Sequence, residues 1–182
     1  MPDSLSPEAV VPCLRGRLGR PYEHVGSTRS TQLLLAADAA EGALVAAEEQ
    51  TEGRGRLGRR WLAPYGTSLL CSLQLRPAVR GERLPELTGV AAQAVAETLA
   101  ALSGLEPELK FPNDVLLDGR KVAGVLAEAR ERRVVLGIGI NVGSTAWPGS
   151  GFVEADRLDL LIDVLERLEH GYDSWLRTLS AA

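Results

Sequence analysis

Gly53-Arg54-Gly55-Arg56-Leu57-Gly58-Arg59-Arg60-Trp61 sets four arginines and three glycines in nine residues and ends on a tryptophan. Its glycines fall as Gly53-x-Gly55-x-x-Gly58, the spacing of a dinucleotide-binding turn. Such a turn opens a helix at its third glycine, inside a doubly wound parallel sheet. Here Arg59-Arg60-Trp61 runs within six residues of Gly58 into Pro64-Tyr65-Gly66, and no apolar stripe of helical period follows. The doubly wound reading is therefore rejected. What remains is chemistry. Glycine lets backbone come close to a ligand, and arginine offers a permanent charge with a planar fork of donors. A solvated basic turn is the plainer alternative. Four arginines so close together repel one another unless an anion is present, so a mobile loop folding over an anionic small molecule is the better reading.

Outward from the loop, the periodicities alternate between strand and helix. Ser68 to Leu75 alternates, with Leu69, Cys71, Leu73 and Leu75 on one face and Ser68, Leu70, Ser72 and Gln74 on the other. Pro77 to Pro85 reads as a polar connection. Glu86 to Leu102 carries Leu87, Val90, Ala91, Ala94, Val95, Thr98 and Leu102, a helical stripe stopped by Ser103-Gly104. Val115-Leu116-Leu117 and Val122 to Ala129 flank Asp118-Gly119, a hairpin turn pair. Val134, Leu136, Ile138, Ile140 and Val142 make one apolar strand face; Val135, Gly137, Gly139 and Asn141 make the other, where the glycines suggest close approach by a ligand. Leu158 to Leu179 reads as a terminal helix capped near Asp156. Before the loop, Met1 to Arg20 reads as an irregular arm or short helix, and Tyr22 to Val25 as a short strand. Ser27-Thr28-Arg29-Ser30 reads as a cap for a helix through Leu33 to Ala37 that stops at Gly42. Ala43 to Ala47 reads as a strand. The order predicts an α+β fold: a mixed, mostly antiparallel β-sheet with helices packed on it.

A chain of 182 residues is most simply one domain. Its net charge of -4 gives no overall signature for nucleic acid, so the arginines are a local feature of an acidic protein. Cys13 and Cys71 lie far apart and suggest neither a disulfide framework nor a metal knuckle; Cys71 reads as a buried small hydrophobe. No signal peptide or membrane-length run is expected, which points to the cytoplasm.

Lys110-Phe111-Pro112-Asn113-Asp114 holds a lysine, an amide and a carboxylate on a proline bend, and leads to Asp118-Gly119-Arg120-Lys121. An ordinary Asn-Asp turn is the plain alternative for it. Lys121 heads the next strand, and simple alternation predicts that Lys121 and Ala123 face away from Val122 and Gly124. His24 and His170 are isolated, and Glu48-Glu49 and the aspartates after Asp156 form no metal-ligand pattern.

Taken together, Ser27-Thr28, Gln50, Gly53 to Trp61, Lys110 to Asp114, Arg120-Lys121 with Gly124, and Gly137 to Asn141 resemble the catalytic domain of biotin protein ligases, over about residues 20 to 179. The resemblance implies the class II synthetase-like fold and a two-step reaction. ATP and biotin, with Mg2+, would give biotinyl-5'-AMP and pyrophosphate; biotin would then pass to a lysine of a biotin carboxyl carrier protein of acetyl-CoA carboxylase. It also implies roles. Lys121, Arg56 and Asp114 would be catalytic, Asp114 by orienting Lys121 or the incoming lysine. Ser27, Thr28, Arg29, Gln50, Gly53, Arg54, Gly55, Arg56, Lys121 and Gly124 would bind biotin. Arg56, Arg59, Trp61, Lys110, Asn113 and Asn141 would bind nucleotide, with Trp61 covering adenine. The chain departs from the family in three places: Arg29 stands for the usual asparagine, Glu52 for a small residue and Phe111 for tryptophan. Residues 1–182 are expected to be one catalytic domain, without an N-terminal winged-helix domain or a complete C-terminal β-barrel, so no DNA or membrane partner is expected. A homodimer stays open. The alternatives are a lipoate or octanoate transferase of the same fold and a non-catalytic biotin-binding homologue.

Overall fold

A computed structural model describes residues 4–78, 83–131 and 133–180. Its framework is one seven-stranded sheet in the order β1-β2-β3-β7-β6-β5-β4. The strands are β1 (Tyr22–Thr28), β2 (Leu44–Gln50), β3 (Ser68–Leu75), β4 (Glu108–Lys110), β5 (Asp114–Leu117), β6 (Arg120–Arg130) and β7 (Arg133–Asn141). Only β1 and β2 pair in parallel; every other neighbouring pair is antiparallel. The helices are α1 (Pro7–Val10), α2 (Leu84–Ser103) and α3 (Arg157–Ser180). The α+β expectation holds. The connection 77–85 lies partly outside the described residues.

The alternating strands explain where the helices go. Leu69, Cys71, Leu73 and Leu75 of β3 join Leu136, Ile138 and Ile140 of β7 in the main core. Onto them pack Leu87, Ala91, Val95 and Leu99 of α2 and Leu161, Val164, Leu165 and Leu168 of α3. Leu5, Val10, Leu14 and Leu18 of the N-terminal arm are buried in the same cluster. Helix α2 stops at Gly104, whose φ of 70° is left-handed, as its reading as a stop requires. Asp156 Oδ1 accepts from the backbone N–H of Leu158 at 2.8 Å and Asp159 at 3.2 Å, capping α3.

Two expectations fail. The helix over Leu33 to Ala37 is absent: one 3-10 turn, Thr31–Leu33, replaces it. The freed carbonyls are taken by side chains. Arg133 Nη1 donates to the carbonyls of Leu35 (3.0 Å) and Ala36 (2.8 Å), and Arg76 Nη2 to those of Ala37 (2.7 Å) and Ala39 (3.0 Å). Backbone groups satisfied this way have no need of a helix. Ser27 and Thr28 are accordingly not a cap but the end of β1.

The second failure concerns parity. Val115 pairs with Ala123, but Leu116 pairs with Lys121, so Val122 is an extra residue in β6. Such a bulge breaks the alternation of faces. Lys121 thereby reaches the same side as Gly124: a Cβ placed on Gly124 would sit 3.4 Å from Lys121 Cε.

Candidate functional site

The face of the sheet away from α2 and α3 holds a cavity of about 970 Å³. Its floor is the polar face of β7. Gly137, Gly139 and Asn141 line it, with Gly124 of β6 and Ser72 of β3. Gly124 and Gly139 are cross-strand partners. With no side chain on either, the floor is flat there, and the Trp61 indole lies on it. A Cβ on Gly139 would meet Trp61 Cε2 at 2.8 Å, and one on Gly124 would meet Trp61 Cζ3 at 3.1 Å.

The roof is the arginine loop. It folds as a small hairpin: Trp61 N–H donates to the Gly53 carbonyl (2.9 Å), Gly55 N–H to the Arg59 carbonyl (2.7 Å), and Arg54 bridges Arg60. Leu57 and Gly58 take left-handed φ values of 57° and 74° at the tip. Gly53 is required here, because a Cβ would lie 2.4 Å from the Trp61 carbonyl oxygen. Arg54, Gly55, Arg56, Arg59 and Arg60 all line the cavity.

The second predicted segment closes the opposite wall with Lys110, Asn113, Asp114 and Lys121. Lys121 Nζ sits 2.8 Å from Asp114 Oδ1 and 5.5 Å from the centre of the Trp61 ring. Asn113 Nδ2 donates to the Val125 carbonyl (3.0 Å), and Asn141 Nδ2 to that of Gly151 (2.9 Å). Those amides pin the wall and the 144–151 loop. Arg56 and Lys121, 65 positions apart by their numbers, thus meet around one cavity.

Four predicted residues do not line it: Ser27, Thr28, Arg29 and Gly53. Ser27 Oγ donates to Glu49 Oε2 (3.1 Å). Arg29 Nη2 pairs with Glu52 Oε2 at 2.7 Å on the surface, and holds that carboxyl below its usual range through the hydrogen bond. The two departures Arg29 and Glu52 are therefore each other's partners. Trp61 lies on the floor of the cavity in this structure rather than standing free as a cover.

The residues missed are Ser30, Thr31 and Gln32. Gln50 Oε1 accepts from Thr31 N–H (2.8 Å) and Thr31 Oγ1 (3.0 Å), and Ser72 Oγ and Thr31 Oγ1 share a hydrogen bond of 2.7 Å. Gln32 is buried against Gly137 and donates to the Leu126 carbonyl at 3.2 Å; its Oε1 has no partner, nor does the buried Trp61 Nε1. A buried polar atom without a partner is costly, so both atoms suit a ligand. A second Ser-Thr pair three residues after the first was the available signal.

Among the described residues no group of three or more His, Cys, Asp or Glu is gathered as for a metal. Asp114 is the one carboxylate of the lining, and it is bound to Lys121. Buried Cys71 has its thiol pushed up to about 12 by desolvation, so it is inert as a nucleophile. Among the described residues no helix is long and apolar enough to cross a membrane.

The model of the biotin/lipoate A/B protein ligase family matches residues 24–144. The chain belongs to that family. Among curated members it is 36% identical over 165 residues to a biotin–[acetyl-CoA-carboxylase] ligase of Mycobacterium tuberculosis, covering 82% of this chain and 62% of the relative. It is 43% identical over 124 residues to a bifunctional ligase/repressor BirA of Bacillus spizizenii, covering 65% of this chain and 38% of the relative. The chain thus spans about two fifths to three fifths of these relatives. A biotin protein ligase from Aquifex aeolicus, solved with biotin and ATP, superposes with a TM-score of 0.78 at 32% identity, over 87% of this chain and 72% of that one. The sheet and its helices are the family's fold.

Proposed function

We propose that this chain is the catalytic domain of an ATP-dependent biotin ligase, forming biotinyl-5'-AMP and passing biotin to a lysine of a biotin carboxyl carrier protein. The observation that carries the reading is the single cavity in which Arg56 and Lys121 converge from two distant segments. Its size suits a small acid and a nucleotide together.

A carboxylate must attack an α-phosphate while both are anionic. At an effective dielectric near 20, two such charges about 4 Å apart repel by about 4 kcal/mol. Fixed cations at the meeting point remove that barrier and stabilise charge as it moves to the leaving pyrophosphate. Lys121, positioned by Asp114, takes this role from the wall, and Arg56 takes it from the roof. Gln50, Thr31 and Gln32 offer donors and acceptors to the ureido end of the acid. The hairpin excludes water from the mixed anhydride. The carrier amine then attacks the acyl carbon and AMP leaves. Asp114 is the one carboxylate of the lining, so magnesium would come with the phosphates of ATP, which would supply most of its ligands together with water; no step here depends on a protein-held ion. With its acidic balance the chain is assigned no DNA partner.

Biotin-dependent exchange of labelled pyrophosphate into ATP tests this. Exchange is expected with wild type and lost in Lys121→Ala while circular dichroism is unchanged. No exchange with biotin would defeat the ligase reading; exchange with lipoate or octanoate instead would reassign the acid. Wild-type turnover in Lys121→Ala would remove that lysine from the chemistry.

A further inference from the structure

Not every arginine of the hairpin is free to meet an anion. Arg60 Nη2 donates to the Thr51 carbonyl at 2.8 Å. Arg54 Nη1 lies 3.4 Å and 3.5 Å from the two carboxylate oxygens of Glu128 on β6. Among the described residues, Arg56 and Arg59 have no acidic partner. Glu128 Oε2 is also held by Arg130 Nη2 at 2.9 Å, and Arg130 Nη1 donates to the Gln32 carbonyl at 3.2 Å. A continuous strut therefore runs from the roof, through Arg54, Glu128 and Arg130, to the Gln32 end of the floor.

We propose that Glu128, which is not itself among the cavity's lining residues, is a positioning residue that holds the arginine hairpin over the cavity and ties its closure to the Gln32 turn. Its distances carry the argument. The Arg54 pair is long and half exposed, so it contributes little to overall stability. A weak link changes populations most where the two positions of a mobile element are nearly balanced. Arg130 already matches the charge of Glu128, so Arg54 moves without leaving the half-buried carboxylate alone. Arg54 is then a tether, and Arg56 and Arg59 are the cations left for substrate. The kinetic consequence rests on the ligase reading; the mechanical one does not.

Hydrogen exchange on the full chain without ligand tests the mechanical part. In Glu128→Gln the Gly55, Arg59 and Trp61 amides, and the Thr31 and Leu33 amides, should exchange about threefold to fivefold faster, with α3 unchanged. Arg54→Gln should match the hairpin effect, and the double variant should add nothing to it. In pyrophosphate exchange, Glu128→Gln should raise the biotin KM by a similar factor and keep kcat. Unchanged hairpin amides in Glu128→Gln, additive effects in the double variant, or faster exchange throughout α3 would each overturn the strut. Faster hairpin exchange with an unmoved 30–33 turn would overturn the tie to Gln32. A wild type without any biotin-dependent exchange would defeat the ligase reading, while the amide rates would still decide the strut.

Discussion

Gly139 and Gly124 face each other across β7 and β6, and the indole of Trp61 fills the space that two side chains would take. A methyl group on Gly139 would overlap Trp61 Cε2 and Cζ2, at 2.8 Å and 2.9 Å. The indole belongs to a hairpin and can swing; the strand cannot. Gly139→Ala is therefore expected to cost under about 1 kcal/mol of stability, below the usual range for overpacking, yet to disturb the cavity floor. Tryptophan emission should shift, and calorimetry should find biotin affinity down about tenfold or more. Unaltered affinity would show that the indole does not shape the acid's site. At this scale the charged residues were legible because arginines among glycines have few structural uses. Ser30-Thr31-Gln32 was not, since Ser27-Thr28 offers the same letters three residues earlier and only the three-dimensional path separates them.

Among the elements, α3 shows best how local chemistry sets a boundary. Asp156 accepts two backbone N–H bonds at its start. Asp156→Ala is expected to cost about 1 kcal/mol, lowering Tm by about 2–4 °C in a chain of this size, with pyrophosphate exchange at 25 °C unchanged. A scanning calorimetry trace without that shift would mean the cap is redundant. Helices α2 and α3 were legible because each buries one long apolar stripe. Strand β4 was not, because Glu108, Leu109 and Lys110 are all exposed and carry no alternation. The absent helix after Leu33 was misread for a different reason: the donors that replace its hydrogen bonds are Arg76 and Arg133, far along the chain.

Over the whole molecule, a buried charge cluster joins the start of α3 to the sheet edge. Arg157 Nη1 meets Glu48 Oε2 at 2.6 Å, and Glu48 Oε1 meets His24 Nε2 at 2.9 Å. Arg157 is 4% exposed and Glu48 8%. Removing the carboxylate breaks the 2.6 Å ion pair of a buried guanidinium. Glu48→Ala is thus expected to lose about 3 kcal/mol, read as a lower urea midpoint, with Glu48→Gln milder. Equal midpoints for wild type and alanine variant would show that the cluster is not needed for stability. The α+β order and the mostly antiparallel sheet were legible from periodicity alone. This cluster was not: Glu48 and Arg157 lie 109 positions apart, and each residue looks like ordinary surface charge in the sequence.

The surplus Val122 in β6 has a consequence for descent and for redesign. One residue added to β5 opposite Val122 would restore regular pairing, and Val122 with every side chain before it in β6 would turn over. The lysine would then point into hydrocarbon, and a greasy neighbour would face the cavity. The side on which Lys121 stands is set by a miscount in the ladder, so a residue added to β5 at that point is worse than most changes of residue type.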